Sequence, residues 1–553
     1  MKKHIKYLIG IVGLASITAT GCKKDFFNRP PENEVTVGSY YQTAAEVQAS
    51  TNVLYDEPWF GFNGKAFLAI SELQSGNAQC PAGTDGEFDA FHNYSEGNAT
   101  VAVQSAWDAL FTVIAQSNAL LLNLPTAASG VSAPIVNNAL GEAHLMRAAA
   151  YFYLVRNFGN VPIITNPALN VGNFQTVRTN PVTDVYQFII NDLIFAEANC
   201  TPGVASTGHA SSGSASALLS KVYLYKQDYK DAQSEAAKVI KSGEFGLMGL
   251  DFSGSYVNLF ESNFNNNKES VIAMQWTSNG GYGFGNQMQS VIAPNSTVTG
   301  TGDGYGELGP TWDLEDAFKA AGDSIRRHGT IMLGNDYYSE ITKATGGYTV
   351  PLSINEQGTH SGMKKYVTGT PTDNTLGSAA QDAANNTYIM RYADVLLIYA
   401  EATLGMSSGT TAGHGIDTTA VLTDATALGY IEKIRQRAGE KPALYASMTY
   451  RQLIKERRLE FAIEGDYWYD LQRIDGYQPL TNPSLANHPV AIAIEATTNK
   501  GESSGAGTAP NYTDYTRSVL YIIPTNAQFI LPIPATDVAA DPALLQPPVP
   551  YKF

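Results

Sequence analysis

Cations are scarce in this chain. Its 553 residues hold 35 Lys and Arg against 51 Asp and Glu, a net charge of −16. A nucleic-acid partner is excluded on that balance, because phosphate binding needs clustered Lys and Arg. Cysteine is scarcer still: Cys22, Cys80 and Cys200, with no C-x-x-C, so zinc-ribbon and redox spacings are absent. Cys80 and Cys200 could pair in an oxidising compartment, but nothing in the sequence fixes their geometry. The 8 His form no H-E-x-x-H and no metal-like cluster, so no metal and no cofactor is expected. Long apolar runs are missing beyond the N-terminus, and no later membrane span is expected.

What is present begins at that N-terminus. Lys2, Lys3 and Lys6 precede an apolar run from Tyr7 to Ala19, then Thr20-Gly21-Cys22. A basic start, a short apolar core and small residues before a cleavage site make a secretion signal over 1–21. The Thr-Gly-Cys segment resembles the lipobox of bacterial lipoproteins, which implies a lipidated Cys22 and attachment through that anchor alone. Removing 1–21 takes away three Lys and no acid, leaving 32 cations against 51 acids, or −19. Residues 22–42, polar and containing Pro30-Pro31, read as a tether.

The rest, 43–553, reads as one unit of mostly α class. Thr43-Ala-Ala-Glu46 is a capping box opening a helix to about Tyr55. Residues 56–100 read as an aromatic-rich loop. Helices follow over 101–124, ended by Pro125, and over 137–156, from Pro181 to Ala196, 214–226 and 229–242, then again over 388–404, 427–438 and 450–464. Short turns and small residues between them predict antiparallel helix pairs stacked as a tetratricopeptide-like superhelix. The helical scaffold is thus expected over about 43–250 and 388–470. A Gly-rich part of loops and short strands is expected over 251–387 and 475–553.

Glu142–Ile164, Ser214–Leu247, Gly309–Phe318, Arg391–Ala402, Ile431–Gly439, Leu453–Arg473 and Leu531–Gln546, taken in that order, are similar to the SusD/RagB family of outer-membrane nutrient-binding lipoproteins. The C-terminal segment departs slightly, with Asp541-Pro542 where the family commonly carries Asn-Pro. The resemblance implies a surface-exposed, lipid-anchored outer-membrane protein that binds nutrient without catalysis. It also implies a TonB-dependent SusC-like transporter as partner, and leaves a structural calcium open. It does not transfer the ligand class.

Chemical-looking motifs fail in context. Gly304–Gly309 fits G-x-G-x-x-G, but no strand leads into it. Gly405–Gly409 fits G-x-S-x-G after a helix, so Ser407 is no nucleophile elbow. Glu456 and Glu460 are flanked by Arg, which keeps both ionised, and Arg391, Asp394 and Glu401 read as glue between helices. The expected site is aromatic, because sugars present C–H faces ringed by hydroxyls. Trp59, Trp276, Tyr282, Tyr305 and Trp312 are the candidate ligand contacts, with Phe284 facing either ligand or transporter. Asn63, Gln289, Asp303 and Glu307 are the polar partners. Trp276 and Trp312 lie on regular elements, where a tryptophan is more often core. The function expected is capture of oligosaccharide or polysaccharide, with peptide capture as the alternative and a surface hydrolase a distant third.

Overall fold

The computed structural model describes residues 40–553 except 81–84, 171, 173, 204, 279, 353–358, 418, 441–444, 475–491, 500–514 and 523–525. The signal segment 1–21, Cys22 and most of the tether lie outside the described residues, as does part of the loop-rich stretch after 475.

Helix α1 (Ala44–Ser50) opens with the expected capping box: the Glu46 N–H donates to Thr43 Oγ1 and the Thr43 N–H to Glu46 Oε2. It ends earlier than expected and tightens to a 3-10 turn over Asn52–Leu54. The supposed loop after it contains a helical turn, Lys65–Phe67, that widens into a π-type turn over Leu68–Leu73. It also contains α2 (Gly86–His92), capped by Asp85.

Five scaffold helices follow: α3 (Val101–Ala127), α4 (Ala133–Phe158), α5 (Val182–Asn199), α6 (Ser212–Lys226) and α7 (Tyr229–Ser242). Pro125 does not end α3. It removes one donor in the last turn, which the Ala128 N–H closes onto the Leu124 carbonyl. By length and composition α3 could cross a membrane. Here Trp107, Leu110, Val113 and Ile114 are buried, and the helix packs along α4. Helix α4 is buried on every side from Leu145 to Phe158 and forms the centre of the scaffold. Neighbours in sequence are neighbours in space up to α7. The turn between α6 and α7 is closed by Gln227 in the left-handed region (φ 59°).

The chain then leaves the scaffold. After α8 (Trp312–Ala321) it returns as α9 (Tyr392–Ser407), which packs on α7, and α10 (Ala425–Arg437) packs on α9. The approach is close: a Cβ on Gly405 would lie 2.4 Å from the Tyr229 ring. That contact lies in the last turn of α9, so the first glycine of the G-x-S-x-G stretch is a packing position. Helices α11 (Tyr450–Phe461) and α12 (Asp466–Arg473) complete the series.

One expected helical turn is a strand. Thr387–Arg391 (β2) pairs antiparallel with Ser270–Met274 (β1), Thr387 opposite Met274 and Arg391 opposite Ser270. All five residues of β1 are buried, so its backbone needs a ladder partner, and the β-branched and aromatic Thr387-Tyr-Ile389 suits that role. Farther on, β3 (Ile492–Asn499) and β4 (Tyr515–Ile522) form a long antiparallel hairpin. The main apolar core runs from Val47 to Leu531, and a small second cluster gathers Leu314, Phe318, Ile331, Leu459 and Ala462. Cys80 and Cys200 are separate buried thiols.

Two buried charge networks clamp the later helices to the rest. In one, Arg391 reaches Glu269 at 2.6 Å, Glu460 at 2.9 Å and Glu464 at 2.6 Å, while Arg437 joins Glu269 and Glu460, and Arg326 joins Glu456 and Glu460. In the other, Arg457 binds Asp394 and Asp470 at 2.8 Å each, Arg473 binds Glu401 and Asp470, and Lys221 binds Asp394 and Asp466. Burial alone would raise the Glu460 pKa. The three guanidiniums outweigh it and hold the carboxyl well below its ordinary range. Glu456 and Glu460 are therefore ion-paired, not an acid–base couple.

Candidate functional site

The chain between α7 and α9 holds two Gly-Tyr-Gly segments. Gly281 and Gly283 have φ of +83° and +105°, and Gly304 and Gly306 have +94° and +55°. Left-handed backbone on both sides of a tyrosine turns it away from the local chain. Tyr282 is accordingly 71 % exposed and Tyr305 37 %.

Both tyrosines line, together with Phe60, one open cleft of about 250 Å³. Phe60 stands edge-on to Tyr282 at 5.0 Å, and Trp276 stands edge-on behind Phe60 at 6.5 Å. Val101, Ala102 and Ser105 of α3 form one wall. The polar lining is Asn63, Lys65, Glu87, Gln287 and Gln381. The Tyr305 N–H donates to the Ser290 carbonyl, and its hydroxyl accepts from Gln381 Nε2 at 3.3 Å. Glu307 meets the cleft through Lys65, whose Nζ lies 3.0 Å from Glu307 and 2.7 Å from Asp85. Asp85 is itself pinned, because its Oδ1 accepts the Glu87 and Phe88 N–H groups at the start of α2. Burial would lower the Lys65 pKa, but its two carboxylates outweigh that and raise it, so the ammonium stays charged. Burial raises the Glu307 carboxyl.

Among the remaining sequence candidates only Asn63 lines this cleft, and the buried Trp59, Trp276 and Asp303 need correction. Trp59 is 0 % exposed; its Nε1 donates to the Leu54 carbonyl and its ring meets Tyr153, so it is core. Trp276 is buried, donates to Thr387 Oγ1 at 3.1 Å and backs the cleft instead of lining it. Asp303 is buried, and its carboxylate accepts from Thr301 Oγ1 and from the Gln381 N–H, which places Gln381 and leaves the aspartate out of reach of a ligand. Trp312 stands apart from the cleft. It stacks on His360 with centroids 3.6 Å apart and lines a separate hollow with Glu315, Lys319 and Arg327. Gln289 is spent on Thr368 and Gly369, and Asn63 binds Asn286.

Sequence reasoning missed Phe60, Lys65, Glu87, Gln287 and Gln381 as cleft residues. Phe60 directly follows Trp59, and no periodicity said which of the two faces in. No helical or strand pattern marks the others.

Comparison with known proteins fits this architecture. Residues 268–549 match the model of the SusD family. A SusD-like protein from Bacteroides ovatus is 31 % identical, covering all of both chains. This chain belongs to the SusD family. Residues 76–224 also match a model described as starch-binding and associating with the outer membrane. SusD-like protein P2 of Formosa agariphila is 26 % identical over 85 % of this chain and 90 % of its own. Among solved structures, one with a xylogluco-oligosaccharide superposes with a TM-score of 0.75 at 29 % identity, covering 92 % of this SusD-like chain and 99 % of that one. A laminarin-binding SusD-like protein gives 0.64 at 25 % identity, covering 90 % and 97 %.

Proposed function

We propose that this SusD-like protein captures oligosaccharide or polysaccharide at the cell surface and has no catalytic role. Lipid on Cys22 holds it in the outer membrane, facing outward, and it passes its ligand to a TonB-dependent transporter of the SusC-like kind. The observation that carries this reading is the meeting of Phe60, Tyr282 and Tyr305 at one open cleft. Flat rings match the C–H faces of pyranoses, and Gln287, Gln381 and Glu87 offer partners to the surrounding hydroxyls. The xylogluco-oligosaccharide complex and the laminarin-binding relative support a glycan over a peptide, and the family's outer-membrane association supports the location.

A glycan array on the full-length protein in detergent, followed by calorimetry on its hits, tests the binding. Tyr282→Ala and Tyr305→Ala should each weaken a hit by about 1 kcal/mol or more. Unchanged affinity in both folded variants refutes this site, and peptide binding without glycan binding refutes the ligand class. Cys22→Ser should move the protein to the soluble fraction and abolish palmitate labelling. Pull-down from detergent-solubilised membranes should retain a barrel-sized partner.

A further inference from the structure

Resting on that reading, we propose that the cleft selects uncharged glycans and rejects those bearing uronate or sulfate groups. Lys65 is the one cation among the described residues that line it. That ammonium is already shared by Asp85 at 2.7 Å and Glu307 at 3.0 Å, and Glu87 adds a third carboxylate to the same wall. One cation against three acids leaves a local surplus of negative charge. The surplus is felt by the acids themselves: the Glu87 carboxyl is raised by burial first and then by the charge of Asp85. Asp303 lies just behind the wall, joined to the backbone of Gln381.

An acidic sugar would need a free cation here, and most favourably the two-pronged fork of an arginine. Among the described residues that line the cleft there is no arginine. To bind Lys65, a uronate would have to displace one of two carboxylates that hold it, beside a third that repels the newcomer. A neutral sugar meets the opposite situation. Its hydroxyls donate to Glu87 and accept from the amides of Gln287 and Gln381, while its C–H faces rest on Phe60, Tyr282 and Tyr305. The net charge of −16 on the whole chain adds long-range repulsion against polyanions at low salt.

The test uses the full-length protein in detergent at pH 7.5 and low ionic strength. The probes are xyloglucan and laminarin oligosaccharides, the same oligosaccharides with primary hydroxyls oxidised to carboxylates, and polygalacturonate and heparin fragments. Calorimetry should show a neutral oligosaccharide binding at least about tenfold more tightly than its oxidised form. The ratio should shrink in 0.5 M salt, and Glu87→Lys should shrink it several-fold. An oxidised form that binds as well as its parent overturns the charge selection. So does a ratio that ignores both salt and Glu87→Lys. Binding of polygalacturonate or heparin alone overturns it too, while leaving glycan capture standing. Silence from every probe overturns glycan capture itself.

Discussion

Arg391→Ala should be among the most damaging single substitutions in the protein. The guanidinium makes five hydrogen bonds: to Glu464 Oε2 and Oε1 at 2.6 and 2.7 Å, to Glu269 Oε1 at 2.6 Å, and to Glu460 Oε1 and carbonyl at 2.9 and 3.2 Å. It and its three acids are buried. Truncation leaves Glu269 to Arg437, Glu460 to Arg437 and Arg326, and Glu464 to Lys365. Breaking a buried pair from one side costs about 3–5 kcal/mol, because the orphaned charge stays desolvated. For a chain of this length the unfolding entropy is roughly 1 kcal/mol per degree, so the melting temperature should fall by about 3–5 °C.

The pH dependence follows from the Glu460 carboxyl, held below its ordinary range by Arg437, Arg391 and Arg326 against the opposing effect of burial. Its stabilisation is present above the unfolded pKa of about 4.3 and is lost as pH falls below it. Removing Arg391 weakens that hold, so acid unfolding should begin at a higher pH than in the wild type. Scanning calorimetry from pH 3 to pH 8 measures both effects. Arg391→Ala combined with Glu464→Gln should recover part of the loss, since the carboxylate that gives up two guanidinium hydrogen bonds is then neutral. A melting shift under 1 °C, with acid unfolding unmoved, would refute the network as the clamp.

Trp59→Ala should cost about 3–5 kcal/mol of stability, whereas Tyr282→Ala, exposed at 71 %, should leave the melting temperature nearly unchanged; denaturant unfolding separates them, and equal losses would contradict the burial described. Glu72 lies in the π-type turn and accepts from the Ile463 and Gly465 N–H groups, yet burial lifts its pKa to about 7. The folded state therefore holds a proton that the unfolded chain gives up, so this group's contribution declines between about pH 4.3 and 7 and is level above. The stability difference between wild type and Glu72→Gln should follow that slope, and a flat difference would refute it. Cys80 and Cys200 are buried thiols pushed well above their ordinary pKa, chiefly by burial. Iodoacetamide should label both after denaturation and neither in the native protein, and rapid native labelling would show that one of them is exposed.

The local grammar of the sequence determined most of the scaffold helices and the exposure of the two tyrosines. Side-chain caps at Thr43, Ser211 and Thr449 start helices by satisfying N–H groups that the helix cannot pair itself. Glycines beside Tyr282 and Tyr305 act within one residue of the rings they expose. The family's segments from Glu142 to Gln546 lie in the scaffold helices, around α8 and at the C-terminus. Only the tertiary structure decided the rest. It made Thr387–Arg391 a strand because buried β1 needed a partner, and it sent Trp59 into the core while leaving its neighbour Phe60 at the cleft. It also brought Lys65 between Asp85 and Glu307, although Glu307 lies in a different part of the chain. Burial and charge partnership arise where segments remote in sequence meet, and local propensity and spacing carry no record of that meeting.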